Sequence, residues 1–153
     1  MHPPNVADIR RLLSELLGRD VEVKPARVKL GLAGAAAVAV YTTDPPGPVG
    51  HWACDLPSAA SVAAALSLTP PGVASEAVKS KVLPDALAEN LGEVMNVGAR
   101  LFASDGQRVT LREVRSGTSL ATLATPTTRL DVEVAVKGYP LGVMSFFVGA
   151  PTP

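Results

Sequence analysis

Apolar and polar positions alternate with two different periods along this chain, which predicts both helices and strands. From Val6 to Leu17 the apolar residues recur every three or four positions; Asn5 is a good helix N-cap and Gly18 a good stop. "VEVKPARVKL", "GAAAVAVYTT" and "QRVTLREV" read as strands, the first broken by Pro25. The chain therefore begins with a helix and continues into a sheet.

The clearest hairpin signal lies near the C-terminal end, in "RLDVEVAVKGYPLGVMSFFVG". Side chains of a strand alternate between its two faces. One face of the first strand is apolar and the other is charged, with Leu130, Val132, Val134 and Val136 on the first and Asp131, Glu133 and Lys137 on the second. "GYPLG" is then the turn and "VMSFFV" the returning strand.

The middle of the chain adds helices to this sheet. "HWACDLP" predicts a short strand that leads into a helix over "PSAASVAAALSL", which "TPPG" ends. "ASEAVKSKVLP" fits either a helix or a loop, and "GTSLATLATPTT" fits a strand or an edge strand. The prediction is one α+β domain over residues 1–153, with an antiparallel or mixed sheet of about six strands and long helices on one face.

Composition narrows the functional classes. The 153 residues carry no net charge and no basic stripe, so nucleic-acid binding is not expected. Cys54 is the only cysteine and is expected to be a small buried residue, while His2 and His51 offer no metal-ligand spacing. No secretion signal is expected, and the longest apolar run is about half of what a bilayer requires. The expectation is a soluble cytoplasmic protein without a membrane segment.

One segment raises a chemical question. "PDALAENLGEVMNVGARLF", from Pro84, predicts a single amphipathic helix. Its apolar stripe holds Leu87, Leu91, Val94, Met95, Gly98, Leu101 and Phe102. The opposite side holds Glu89, Glu93, Asn96 and Arg100. Periodicity alone makes this polar side an ordinary solvated face.

The two glycines of this helix each cost about 1 kcal/mol relative to alanine. Gly98 lies within the apolar stripe, so it predicts close packing of the helix backbone against another element. Gly92 lies toward the polar side, where no core explains it. A small, smooth flank beside two acids and an amide would let the backbone of a partner approach.

"ENLGEVMNVGARL" resembles the Glu-x-x-Asn helix of the CheC/CheX/FliY family of chemotaxis phosphatases, with Glu93 and Asn96 as the pair. The strand-then-helix unit "HWACDLPSAASVAAAL" and the closing hairpin resemble other parts of that family, so the likeness covers most of the chain. The N-terminal helix offers Glu15 followed by Gly18 where an amide would be needed. A single motif is closest to the CheX type, whose members pair as dimers.

This resemblance implies an activity and a site. Members of the family hydrolyse the aspartyl phosphate of a CheY-like receiver, which brings its own Mg²⁺ and a lysine. By resemblance, Asn96 would position water and Glu93 would pair with the receiver lysine, while Glu89, Gly92 and Arg100 would line the partner-binding face. The chain would need no cofactor of its own.

The sequence also departs from the family pattern and leaves two other functions open. Glu89 stands where the family often has Asp or Ser, and no proline follows Asn96 until Pro126. The first alternative is a non-catalytic binding or adaptor module in a signalling or motility complex. The second is a structural domain in which Glu93 and Asn96 are plain surface.

Overall fold

Four α-helices and six β-strands make up the part of the chain that the computed structural model describes, residues 1–30, 34–104, 106–116 and 126–149. In chain order they are α1 Val6–Leu17, β1 Val21–Pro25, β2 Ala37–Asp44, β3 Val49–Cys54, α2 Leu56–Leu66, α3 Pro71–Ser80, α4 Asp85–Val97, β4 Arg108–Arg115, β5 Pro126–Val136 and β6 Gly142–Gly149, with a 3₁₀ turn Gly98–Leu101 after α4. None of the described helices has the length and hydropathy that a bilayer crossing requires.

The strands form one antiparallel sheet in the order β1-β5-β6-β3-β2-β4. The predicted α+β class and the predicted number of strands are confirmed. Two hairpins, β2–β3 and β5–β6, lie side by side at the centre, and β1 and β4 form the two edges. Exchanging β1 with β4, β2 with β5 and β3 with β6 reproduces the same order, so the two halves of the chain are related by an approximate two-fold axis.

Local signals explain where the elements begin and end. The Asn5 side chain accepts a hydrogen bond from the Asp8 backbone N–H at 2.8 Å and caps α1, and Gly18 ends the helix with a φ of 63°. Of "ASEAVKSKVLP", residues 74–84, which fitted a helix or a loop, residues 74–80 belong to α3. The predicted strand in "GTSLATLATPTT" falls mainly on residues 117–125, outside the described part; its last residues begin β5.

Helices α1, α2 and α4 pack on one face of the sheet, as predicted, and α3 packs against α2. The main core joins buried helix residues to alternate strand residues such as Ala39, Trp52, Val134 and Phe146. A smaller cluster on the opposite face contains Val38, Ala53 and Phe147, and Leu30 and Ala35 from the segment between β1 and β2 pack against it. The core is mostly aliphatic and includes a few aromatic side chains.

The outer face of the sheet carries a polar layer beside this small cluster. Arg129 and Asp131 form an ion pair at 2.8 Å, and Asp131 accepts a further hydrogen bond from the Ser145 hydroxyl. The same pair holds the backbone of Leu30, whose N–H donates to Asp131 and whose carbonyl accepts from Arg129. These contacts lower the pKa of Asp131 and tie the segment after β1 to the sheet.

His51 is the titratable residue that this layer buries most completely. It is 1% exposed, its ring stacks on Phe147 at 4.7 Å between centroids, and its Nδ1 has no hydrogen-bond partner among the described residues. Burial, with a smaller contribution from Arg115, lowers the pKa of His51 from 6.5 to about 4. The folded state therefore holds this histidine neutral.

Stability should consequently fall as the pH drops from about 6.5 to about 4. In that window the unfolded chain binds a proton that the folded chain excludes, so the contribution of His51 is complete above 6.5 and is lost progressively below it. At pH 5 the expected loss is about 2 kcal/mol, measured as the free energy of unfolding in urea. His51→Phe should flatten this dependence between pH 5 and 7; an unchanged slope would contradict it.

Candidate functional site

The inward face of α4 is apolar and fixes how this helix lies on the molecule. Leu87, Leu91, Val94 and Met95 are at most 3% exposed, which confirms the predicted stripe. The helix packs against α2 and against the edge strand β4. Its opposite side is therefore directed away from the core.

The side chains predicted to form the site lie on that outward side. Glu89, Glu93, Asn96 and Arg100 are exposed, and Gly92 is half-buried. Glu93 and Asn96 are three residues apart, so they are neighbours on the helix surface. None of the four exposed side chains forms a hydrogen bond or ion pair within the described part of the chain. An acid and an amide thus stand side by side and free for an external partner.

Asn90, at the flank of this face, has a structural role. Its amide nitrogen donates to the Ala63 carbonyl at 3.2 Å and to the Ser67 hydroxyl at 2.9 Å. Both acceptors belong to the last part of α2 and its cap. Asn90 therefore ties α4 to α2, a contact that no local pattern indicated.

The prediction of one continuous helix to Phe102 is wrong at its end. The α-helix stops at Val97 and the chain continues as a 3₁₀ turn that contains Arg100. The Tyr41 hydroxyl donates to the Met95 carbonyl at 2.5 Å and so satisfies a carbonyl of the last helical turn. Burial raises the pKa of Tyr41 well above its ordinary value, which keeps the hydroxyl a donor.

Gly98 confirms the predicted close packing. A Cβ placed there would lie 2.6 Å from a ring carbon of Trp52 and 2.9 Å from the Tyr41 hydroxyl. At Gly92 an added Cβ would meet nothing within 4 Å. Close packing in the core therefore explains Gly98, but it does not explain Gly92.

Gly98→Ala should lower the free energy of unfolding by about 1–3 kcal/mol, because the methyl group would overpack against two large fixed rings. Gly92→Ala is the matched control, within α4 itself. It should raise stability by up to about 1 kcal/mol, since alanine is the better helix former and its methyl group has space. Urea unfolding of both variants checks this, and equal stabilities would contradict it.

The approximate two-fold axis relates α4 to α1. Both helices lie on an edge strand, and their buried positions match in spacing: Ile9, Leu13 and Leu17 correspond to Leu87, Leu91 and Met95. In this alignment Glu15 stands where Glu93 stands, and Gly18 stands where Asn96 stands. α1 therefore has the acid without the amide, and α4 carries both.

The candidate site is an exposed helix face. An open groove lies between α1 and β1, lined by residues such as Arg10, Glu15 and Lys137, but the exposed side chains of α4 do not line it. Within the described ranges, no group of three His, Cys, Asp or Glu side chains could hold a metal ion. An open face of this kind is suited to a macromolecular partner.

The remaining reactive side chains are structural. Cys54 is fully buried, and burial raises the pKa of its thiol well above the ordinary value, so it stays protonated. Trp52 is fully buried against Phe146 and Gly98, as expected for a core residue. His51 lies within β3 and not at its end.

Comparison with solved structures identifies the fold. The FliM middle domain from H. pylori superposes with a TM-score of 0.65 at 12% identity, over 94% of this chain and 84% of that one. FliY from Thermotoga maritima gives 0.60 at 17% identity, over 92% and 81%. CheX from Vibrio vulnificus gives 0.55 at 13% identity, over 93% and 94%. No protein-family model and no curated protein matches the sequence.

These matches define a class: the chain has the fold of the CheC/CheX/FliY group, which the FliM middle domain shares. The resemblance predicted from "ENLGEVMNVGARL" is confirmed for the fold. At these identities the comparison establishes architecture, and the group contains both chemotaxis proteins and FliM. The choice between them rests on the residues of α4.

Proposed function

We propose that this chain is a CheX-like phosphatase that hydrolyses the aspartyl phosphate of a CheY-like receiver. The observation that supports it is the exposed pair Glu93 and Asn96, free of partners in the described part of the chain, on a helix whose end is held by Tyr41 and Gly98. An amide that served the protein's own structure would form hydrogen bonds within the chain, as that of Asn90 does. The Asn96 amide forms none in the described structure.

In the proposed reaction Asn96 would hold a water in line with the phosphorus of the receiver's aspartyl phosphate. The water oxygen forms a bond to phosphorus while the bond to the aspartate oxygen breaks, which releases phosphate and restores the carboxylate. An amide suits this role because it can both donate to water and accept from it, and it adds no negative charge beside a phosphoryl group. Fixing the water removes much of the entropic cost of the attack.

Glu93 would set the docking register by pairing with a lysine of the receiver. Alone, an acid near a phosphoryl group would repel it, and a lysine that neutralises the acid removes this penalty. Glu89 and Arg100 would extend the contact on either side of the pair. No atom of the protein lies where a side chain at position 92 would begin, so Gly92 would let the partner approach the helix backbone closely.

The receiver would supply Mg²⁺ to balance the charge of the phosphoryl group. This chain would contribute the docking surface and the water-positioning amide, without a cofactor. By the same resemblance, a homodimer and a cytoplasmic location are part of the proposal. Sedimentation of the purified chain tests the dimer.

The test is a dephosphorylation assay. Each candidate receiver encoded in the same genome is phosphorylated with a small phosphodonor and Mg²⁺, and the decay of its phosphate is followed with and without this chain. Faster decay for one receiver establishes the enzyme and its partner together. Unchanged decay for all of them would overturn the phosphatase proposal.

A non-catalytic adaptor is the second candidate, and the fold comparison favours considering it. FliM of H. pylori, which has this fold, has been solved in complexes with FliG and with SpeE. An adaptor could use the same outward face of α4 without turnover. Binding of a receiver without faster decay of its phosphate would select this function.

A further inference from the structure

The turn that ends α2 places a leucine where glycine is normally required. The Thr69 N–H donates to the Ala64 carbonyl at 2.8 Å and the Leu68 N–H donates to the Ala65 carbonyl at 3.2 Å. This pair of bonds is a Schellman motif, whose central residue must be left-handed. That residue is Leu68, with a φ of 56°. A branched side chain in this region carries a steric cost that glycine avoids.

Leu68 contributes little to the stability of the fold. Leu68 is 75% exposed, so its apolar side chain is left mostly in water. Lys81, the other non-glycine residue with a positive φ in the described part, is polar and suited to solvent. Leu68 combines a strained backbone with an exposed apolar side chain, a combination that stability does not explain.

The turn is also held rigidly from both sides. Before Leu68, the Ser67 hydroxyl accepts from the Asn90 amide at 2.9 Å. After it, the Thr69 carbonyl accepts from the Tyr139 hydroxyl at 2.5 Å. The Ser67 and Thr69 side chains are themselves 2.7 Å apart and hydrogen-bonded. An exposed side chain on a fixed backbone loses little entropy when a partner covers it.

The position of this turn connects it to α4. Asn90, which binds Ser67, is three residues from Glu93 and therefore its neighbour on the helix surface. Leu68 thus stands at the flank of α4 that carries Asn90, and Glu93 lies one helical turn further along this helix. The outward face beyond this flank carries the acids Glu89 and Glu93, with Arg100 at its far end.

We propose that Leu68 is the apolar anchor of the receiver-docking surface, an inference that rests on the proposed function. It would enter an apolar site on the receiver, beside the basic group that pairs with Glu93. The charge of Glu89 and Glu93 selects a partner surface that is basic around that site. Anchoring by a pre-oriented apolar side chain would let Glu93 and Asn96 engage in one register.

Leu68→Gly separates this role from a structural one, because it removes the anchor and relieves the strained backbone together. The probe is the receiver that the wild-type chain dephosphorylates or binds, in the presence of Mg²⁺ and a small phosphodonor, with affinity measured by calorimetry. Leu68→Asn is a second variant, because asparagine tolerates the same positive φ. Val28→Ala is the control, since Val28 is 71% exposed and lies two residues before Leu30, which packs on the outer face of the sheet.

Both Leu68 variants should bind the receiver at least about fivefold more weakly, as expected when an interface anchor is truncated. Their melting temperatures should not fall, and that of Leu68→Gly should rise by about 2 °C. Val28→Ala should bind as the wild type does. If the wild-type chain dephosphorylates a receiver and both Leu68 variants bind that receiver as well as the wild type does, the anchor is disproved while the proposed function stands. If no receiver binds the wild-type chain or is dephosphorylated by it, both proposals fail.

Discussion

Replacing Asn96 with alanine is expected to slow receiver dephosphorylation on the order of a hundredfold while leaving receiver affinity nearly unchanged. The amide would act on the attacking water and make little of the docking contact. Asn96 is exposed and its side chain has no partner in the described structure, so the substitution removes no internal contact. The rate of phosphate decay and the dissociation constant, measured on the same preparation, separate the two effects.

Two further variants define what this result means. Glu93→Ala should weaken both binding and turnover, because Glu93 would set the docking register. Glu76→Ala, an equally exposed alanine substitution on α3, should change neither. An Asn96→Ala variant with wild-type turnover would rule out the proposed mechanism, even if the receiver still binds.

Much of the fold could be predicted because its signals are local. The limits of α1 follow from Asn5 and Gly18, and the closing hairpin follows from strict alternation and a glycine turn, where Gly138 adopts a φ of 90°. The close packing of Gly98 could also be predicted. A glycine within an apolar stripe weakens a helix, and close packing of a neighbouring element explains why it is nevertheless there. Each of these depends on residues that are near one another in sequence.

The features that could not be predicted depend on contacts between distant residues. The end of α4 is set by Tyr41, 54 residues before Met95, and no local pattern records that hydrogen bond. The structural role of Asn90 could not be predicted, because its acceptors lie on α2 and its cap. The burial of His51 depends on the layer over the outer sheet face. The roles of Glu93 and Asn96 stay predictions, because exposure is shared by ordinary surface residues.

A second large effect is expected at Gly142, where β6 meets the beginning of α2. A Cβ at this position would lie 2.2 Å from the Ser58 backbone nitrogen and 2.6 Å from its Cα. These are backbone atoms, so no side-chain rotation can make room. Asp55 fixes the junction further, because its carboxylate accepts from the backbone N–H of Ser58 and from that of Val143, each at 2.9 Å.

Gly142→Ala should therefore lower the free energy of unfolding by at least about 3 kcal/mol, at or beyond the upper range for overpacking, or yield an unfolded product. Gly72→Ala is the matched control: Gly72 lies within α3, where an added Cβ would meet nothing within 4 Å, and the change should be neutral or stabilising. Urea unfolding of the two variants gives the comparison. A Gly142→Ala protein that folds with wild-type stability would mean that α2 can shift on the sheet. Because α2 supports α4 through Asn90, the outward face of α4 would then not be held in the fixed register that docking requires.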